Sequence, residues 1–401
     1  MLHRAGKLEA LYTDYWSSGL WKSLAGILRA RRLAGRYQED LTDAEVYGFN
    51  TASIRDSLLA KLRRSPDTYA GFLNVGGKFG RRVRSQLVRR HEQDWKNTIF
   101  FGYDTGFLET AAWVKERGAK TVVGQMDPSS VEVDLVRQEE QKWPGWAKTP
   151  LLVPEEYFAW RKTEWSLADT IMVNSQWTRS ALLKLGVPDE KIAIVPLAYE
   201  PDAPPAPAPL VRPESEPLRV LFLGQVNLRK GIPYLLEAAA QLRSEPVQID
   251  IVGPIAISDK QVVTAPPNVR FHGPAPRSRA REFYRAADVF VLPTISDGFA
   301  LTQLEAMSHA LPVITTPNCG EVVRDGIDGF VIPPADATAL ANALRTLLED
   351  PERHQAMREE AVRGTERFSL DALGKNLRDL ESRITGIQPA VEAAGFDVDS
   401  I

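Results

Sequence analysis

Arg229 and Lys230 stand side by side in the segment Gly224-Gln225-Val226-Asn227-Leu228-Arg229-Lys230-Gly231. The segment follows a short apolar run, Leu218–Leu223, and precedes a helical pattern with Pro233 near its start. Glycine lets a backbone approach a ligand closely. A helix start carries unpaired amides and partial positive charge, and two cations beside it suit a diphosphate. The segment is not a P-loop, because Ile232 follows Gly231, and it lacks the GxGxxG spacing. Gly76-Gly77-Lys78-Phe79 also fails as a P-loop, since Phe79 stands where a magnesium-binding hydroxyl is needed. A second segment, Asp297-Gly298-Phe299-Ala300-Leu301-Thr302-Gln303-Leu304-Glu305, follows the apolar run Val289–Leu292. A helix beginning near Ala300 presents the amides of Ala300, Leu301 and Thr302 to an anion. Asp297 lies before that helix and Glu305 about two turns inside it, so both carboxylates can accept hydroxyl hydrogens from one elongated ligand. Chemistry alone leaves plain readings open as well: a solvated basic turn for Arg229-Lys230, and a helix cap with a surface glutamate for the two acids.

These segments need strands and helices to hold them, and the second half of the chain supplies both in alternation. Leu218–Leu223, Val247–Val252, Val289–Leu292, Pro312–Thr315 and Phe330–Ile332 read as strands. Asp336, Pro351 and Ser369 start helices. Strands alternating with helices predict a parallel sheet covered on both faces. The first half shows the same alternation less cleanly, with candidate strands at Leu8–Tyr12, Thr98–Phe101, Thr121–Gly124, Thr170–Asn174 and Ile192–Val195. Between the halves, the proline-rich stretch 200–217 reads as an extended linker. The fold expected is α/β: two Rossmann-like, doubly wound parallel-sheet domains facing a cleft. Their expected bounds are 1–199 and 218–368, followed by a helix that crosses back and a loose tail at 369–401.

Bulk composition excludes several classes. Hydrophobic residues make up 44%, enough for a normal core in each domain. Forty-nine basic and 52 acidic side chains give a net charge of -3, with no global pull toward nucleic acid. The one cysteine, Cys319, rules out an internal disulfide framework and a thiolate zinc site and fits a reducing cytoplasm. No run of about 18 apolar residues is present, so no helix is expected to span a membrane.

The two segments, in this order, resemble the retaining glycosyltransferases of family four, which have the GT-B fold. The family's Glu-x7-Glu motif stands here as Asp297-x7-Glu305, followed by Ala306-Met307 and Leu311-Pro312-Val313-Ile314. Further similarities are Phe271-His272-Gly273, Ala287-Asp288-Val289-Phe290-Val291, Glu321-Val322-Val323-Arg324-Asp325-Gly326 and Gly329-Phe330-Val331. Asn174-Ser175, Gly186-Val187-Pro188 and Lys191-Ile192 resemble the end of the family's first domain. The similarity runs roughly from Thr98 to Leu348. It implies that Arg229 and Lys230 neutralise the diphosphate of a nucleotide-sugar donor, that Asp297 touches the transferred sugar, and that Glu305 binds the ribose. Gly224 and the amides of Ala300, Leu301 and Thr302 complete the implied donor site, and backbone near His272–Pro276 faces the base. Asp297 is one methylene shorter than the usual glutamate. A histidine common in the family's first domain is replaced here by Gln125-Met126-Asp127-Pro128, which leaves Asp127 or Gln125 for its role.

The resemblance further implies transfer of a hexose-type sugar with retention, in cell-surface polysaccharide or glycoconjugate synthesis, with no cofactor and no metal. A nucleotide-sugar epimerase or hydrolase, or a binding protein without activity, are the alternatives on the same fold. The acceptor is left open as a saccharide or a lipid-linked group. Residues 22–90 carry 15 basic and 6 acidic side chains, and Trp21–Arg32 has a basic amphipathic pattern. That fits peripheral contact with the inner face of a membrane or an anionic acceptor, and equally a solvated face over an ordinary core. Trp143, Trp146, Trp160 and Trp165 are candidate stacking surfaces for sugars or core fillers. Asp397-Val398-Asp399, in the loose tail, is assigned no role. At the other end, Met1–Lys7 reads as a helix end closed by Gly6, and Leu8–Tyr12 as a second strand. The first strand and Gly-rich loop usual in the family are therefore expected to be missing from this chain.

Overall fold

The computed structural model describes residues 2–17, 36–62, 69–90, 94–201 and 216–387. Most of the proline-rich linker (residues 202–215), the Trp21–Arg32 pattern and Asp397–Asp399 lie outside the described residues. Two compact units emerge. The first comprises Met1–Gln125, Ser129–Arg137 and Thr149–Met172; the second comprises Met126–Pro128, Gln138–Lys148 and Val173–Ile401.

The chain opens with a turn in which Lys7 N donates to Leu2 O and Gly6 N to His3 O, with Gly6 left-handed, as a helix C-cap requires. Strand β1 (Leu11–Thr13) pairs in parallel with β2 (Val46–Gly48) as a two-stranded sheet. β1 overlaps the strand expected at Leu8–Tyr12, whereas no strand is expected at Val46–Gly48; β2 supplies a strand, a glycine and, from Asn50, a helix start. Helices α1 (Asn50–Leu62) and α2 (Tyr69–Leu87) follow. Then come β3 (Ile99–Tyr103), α3 (Leu108–Lys115), β4 (Lys120–Gln125), α4 (Ser130–Lys142), α5 (Glu155–Leu167), β5 (Thr170–Val173), α6 (Gln176–Lys184) and β6 (Ile192–Ile194). The sheet order is β3-β4-β5-β6. β4 and β5 are buried from Thr121 to Gln125 and from Thr170 to Val173, the uniform burial of strands covered on both faces. Gly76 lets α2 lie against the loop after β3: a side chain there would meet Thr105 O at 2.3 Å.

The second unit continues with β7 (Leu218–Leu223), α7 (Ile232–Gln241), β8 (Val247–Val252), α8 (Asp259–Val263), β9 (Val269–Gly273) and α9 (Arg277–Ala286). It is completed by β10 (Val289–Leu292), α10 (Thr302–Ser308), β11 (Val313–Thr315), β12 (Gly329–Val331), α11 (Ala337–Glu349), α12 (Pro351–Gly364) and α13 (Leu370–Thr385). All five strand pairings are parallel, in the order β12-β11-β10-β7-β8-β9. Val220, Leu221, Phe222, Ile249, Ile251 and all of β10 form the buried centre. Asp336 and Ser369 accept from Ala339 N and Ala372 N as helix caps, and Pro351 opens α12 behind its cap Asp350. One boundary departs from expectation: Ala300 is left-handed (φ 60°), so α10 begins at Thr302. Within this unit, Arg383 of α13 donates to the carbonyls of Ile192 and Glu190. Among the described residues no helix is long and apolar enough to cross a membrane.

Candidate functional site

In the six-stranded sheet the winding reverses between β7 and β10. From β7 the chain builds outward to β8 and β9, and from β10 it builds the other way to β11 and β12. Such a reversal opens a crevice at the carboxyl ends of the two central strands, where ligands of open parallel sheets bind. The two segments singled out by their chemistry leave these two strands: Gly224–Gly231 follows β7, and Pro293–Leu301 follows β10.

Backbone bonds join the two loops. Ile295 N donates to Arg229 O at 2.8 Å, and Thr294 Oγ1 donates to the same carbonyl at 3.1 Å. Asn227 Oδ1 accepts from Lys230 N at 3.0 Å. Gly231 is left-handed (φ 71°) and so close to the other loop that a Cβ would lie 1.8 Å from Pro293 O, so only glycine fits. Asp297 is held in turn by Asn318, whose carbonyl accepts from Asp297 N at 2.8 Å and whose Nδ2 donates to Ile295 O at 2.8 Å.

The side chains complete a charged cluster. Lys230 Nζ donates to Asp297 Oδ2, and Arg229 Nη1 lies 3.6 Å from the same oxygen. The Lys230 side chain is 9% exposed, that of Asp297 16% and that of Arg229 28%. Burial opposes ionisation of Asp297, but the charges of Lys230 and Arg229 prevail and hold its carboxyl below the usual range. Asp297 Oδ1 also accepts from Phe299 N at 3.2 Å. Two cations against one carboxylate leave the three-residue cluster itself with one net positive charge, which suits an anion.

Glu305, on α10, makes a different contact. Its Oε2 accepts from Tyr284 Oη at 2.8 Å. Burial and the neighbouring Glu305 carboxylate push the Tyr284 hydroxyl well above its ordinary range, so it stays a donor. Tyr284, on α9, carries no sequence signal that marks it for this contact. Gly224 contributes through shape: its amide already donates to Val252 O at 3.0 Å, and its carbonyl crowds Gly253, so its N–H is not available to an anion. Leu301 is exposed and Thr302 begins α10, while Ala300 lies outside the helix rather than at its start.

Of the two candidates for the absent histidine, Gln125 has its side-chain oxygen engaged inside the protein. It is fully buried, and its side-chain oxygen accepts from Arg161 Nε at 3.1 Å and Trp165 Nε1 at 3.0 Å. Asp127 is half-buried in the loop after β4. Within the second unit, its neighbour Met126 presents a carbonyl that accepts from Asn174 Nδ2 at 3.0 Å. The same carbonyl would lie 1.8 Å from a Cβ on Gly298, the residue after Asp297. On β9, His272 Nε2 pairs with Asp250 Oδ1 at 2.6 Å.

The first unit holds a buried polar network that no sequence motif marks. Arg161, 1% exposed, donates to Tyr157 Oη at 2.7 Å and lies 2.7 Å from Asp104 Oδ2. Glu164 is fully buried and accepts from Thr105 N at 3.1 Å and Trp160 Nε1 at 3.2 Å. Burial, with help from the Asp104 charge, pushes its carboxyl up to about 7. Trp160 and Trp165 are thereby engaged inside the protein, and Trp143 packs edge-on against Trp146 with ring centres 5.0 Å apart.

Residues 217–350, which span both loops, match the family described as glycosyl transferases group 1. They are a group 1 domain. Among similar proteins, the D-inositol 3-phosphate glycosyltransferase of Kineococcus radiotolerans is 30% identical over 265 residues, 57% of this chain and 60% of that protein. The same-named protein of Xylanimonas cellulosilytica is 28% identical over 247 residues, 56% of this chain and 59% of its own. The chain thus spans about six-tenths of the length of these relatives. The fold extends further than the group 1 domain. Sucrose-phosphate synthase from Thermosynechococcus elongatus superposes with a TM-score of 0.61 at 20% identity, covering 94% of this chain and 98% of that one. Anabaena HepE in complex with UDP and glucose gives 0.58 at 16% identity, over 94% and 99%. The chain has the α/β, parallel-sheet GT-B fold, and the group 1 domain lies within its second half.

Proposed function

We propose that this chain is a glycosyltransferase that moves a hexose-type sugar from a nucleotide-diphosphate sugar to an acceptor with retention of configuration. The reading is carried by the Lys230-Arg229-Asp297 cluster at the β7/β10 crevice of the group 1 domain. On this reading Arg229 and Lys230 receive the donor diphosphate and stabilise it as charge builds on the leaving group. Asp297 accepts hydrogen bonds from the transferred sugar, and the second oxygen of Glu305 accepts from the ribose. Asp127 borders the reacting carbon. A donor phosphate oxygen takes the acceptor's proton, so neither a metal nor a protein base in the group 1 domain is required. The acceptor is a saccharide or a lipid-linked group of the kind used to build surface polysaccharides or glycoconjugates. The chain then works in the cytoplasm, in peripheral contact with a membrane.

The test is product analysis with UDP-, GDP- and ADP-sugars, first alone and then with candidate acceptors, in the presence of EDTA. Transfer to an added acceptor, with the anomeric configuration of the donor, supports the proposal. Free sugar or an epimerised donor without an acceptor assigns the hydrolase or epimerase alternative. Tight donor binding without any product assigns a binding protein.

A further inference from the structure

An open groove of about 400 Å³ lies between α1 and α2, bordered also by Phe49 and Arg89 just outside them; the volume is in the range of small-ligand sites, roughly 300–1,000 Å³. Among the described residues, five of its nine lining residues are Lys or Arg, and Asp56 is the one acidic residue. Lys78, Arg82 and Ser85 recur at helical spacing along one side of α2, Arg89 follows in the turn after it, and Arg55 faces them from α1. The charges are poorly balanced. Arg82 bonds to Asp56, and Arg55 Nη2 reaches the same carboxylate at 3.5 Å. Burial favours protonation of Asp56, yet the Arg82 hydrogen bond and the charges of Arg82, Lys78 and Arg55 hold it below its usual range. One carboxylate therefore serves three cations. A fourth lining cation, Arg81, turns to Glu109 at 3.0 Å. Lys78 and Arg89 form no ion pair among the described residues.

We propose that this groove is a binding site for a phosphate-bearing anion, held by Lys78, Arg89, Arg55 and Arg82. A phosphate offers several acceptor oxygens and two units of charge to donors that one carboxylate leaves incompletely paired. Phe72 and Val75 are exposed on α2, about two turns and one turn before Lys78 respectively. An anionic lipid headgroup and a soluble phosphorylated compound carry the same recognised chemistry, and the experiment separates them. The site stands apart from the transfer reading, because it shares no residue with the β7/β10 crevice.

The test uses the full chain with Ser85→Cys, labelled with an environment-sensitive fluorophore. Cys319 is 1% exposed with its thiol pushed up to about 12, so the label goes to the groove. Titration with inorganic pyrophosphate at low ionic strength should give a saturable fluorescence change. Lys78→Gln with Arg89→Gln should weaken it by about tenfold. Arg84→Gln, which removes a charge from α2 outside the groove, should change it less than twofold, and Lys230→Ala should leave it intact. In the second arm, the unlabelled chain is sedimented with vesicles of phosphatidylcholine, with or without phosphatidylglycerol. Binding to the anionic vesicles that pyrophosphate displaces, and that the double variant loses, assigns a lipid headgroup. A pyrophosphate response without vesicle binding assigns a soluble phosphorylated compound. The absence of both responses overturns the proposal, as does an Arg84→Gln effect as large as that of the double variant.

Discussion

Asp297→Asn and Lys230→Ala should change the affinity for a nucleoside diphosphate in opposite directions. Asparagine keeps the volume of Asp297 and an oxygen for Phe299 N, but removes the charge that Lys230 and Arg229 share. An incoming diphosphate then meets two cations without a competing carboxylate. Two unit charges about 7 Å apart at an effective dielectric of about 20 interact by roughly 2 kcal/mol, and partial exposure reduces that to about 1–2 kcal/mol. Asp297→Asn should therefore tighten UDP binding by about 5–30-fold. Turnover should still fall, because the sugar loses its ionised acceptor. Lys230→Ala removes a charge-assisted bond of about 1.5–3 kcal/mol and should weaken UDP by about 10–150-fold. Arg229→Ala should weaken it in the same direction. Calorimetric titration with UDP, alongside initial rates with the donor sugar, measures both effects. If Asp297→Asn weakens UDP as much as Lys230→Ala does, the carboxylate is part of the nucleotide contact and the assigned division of labour is wrong.

Three further outcomes follow from other contacts. Glu305→Gln should weaken UDP by about tenfold while leaving pyrophosphate unchanged, since the ribose alone loses a charged acceptor; equal losses for the two ligands would remove Glu305 from the ribose. Gly231→Ala should cost about 2–4 kcal/mol of stability and abolish donor binding, because it adds a methyl at a positive φ against Pro293 O; a thermal midpoint within about a degree of wild type would contradict the close approach of the loops. Glu164 has its carboxyl raised to about 7, so the folded state holds a proton there that the unfolded chain releases near pH 4.5. Stability from this group is therefore present below that pH and is lost as pH rises to about 7. Relative to wild type, Glu164→Gln should gain up to about 3 kcal/mol across that window, and denaturant curves at pH 4.5 and 7.5 that run parallel for the two proteins would rule the shift out.

How far the sequence could be read depended on how local the information was. β7, β8 and β10 were legible because each is a dense apolar run buried in the sheet centre. β9 was not assigned as a strand: Arg270 and His272 point outward from an edge strand, so its burial alternates and its apolar content is low. β2 is three residues long and half-exposed, below what any pattern rule can separate from a loop. In the site, residue types and strand-to-helix position marked Arg229, Lys230, Asp297 and Glu305. The ion pair to Asp297, the Asn318 brace and the Tyr284 hydroxyl all depend on pairings between distant segments. Arg161 and Glu164, spaced as an ordinary solvated helix face, turn inward because the Asp104-Thr105 loop offers a carboxylate and an amide there.

The sheet order also fixes when the crevice can exist during folding. Lys230 and Asp297 are 67 residues apart, and they meet only after β10 docks against β7. The β7-α7-β8 unit can assemble first, because its contacts are local, but it carries only one of the two loops. Closing the longer loop comes at a greater entropic cost and should lag behind. Nucleotide binding therefore reports completion of the domain rather than its collapse. In refolding followed by rapid mixing, far-ultraviolet circular dichroism should recover before UDP binding does.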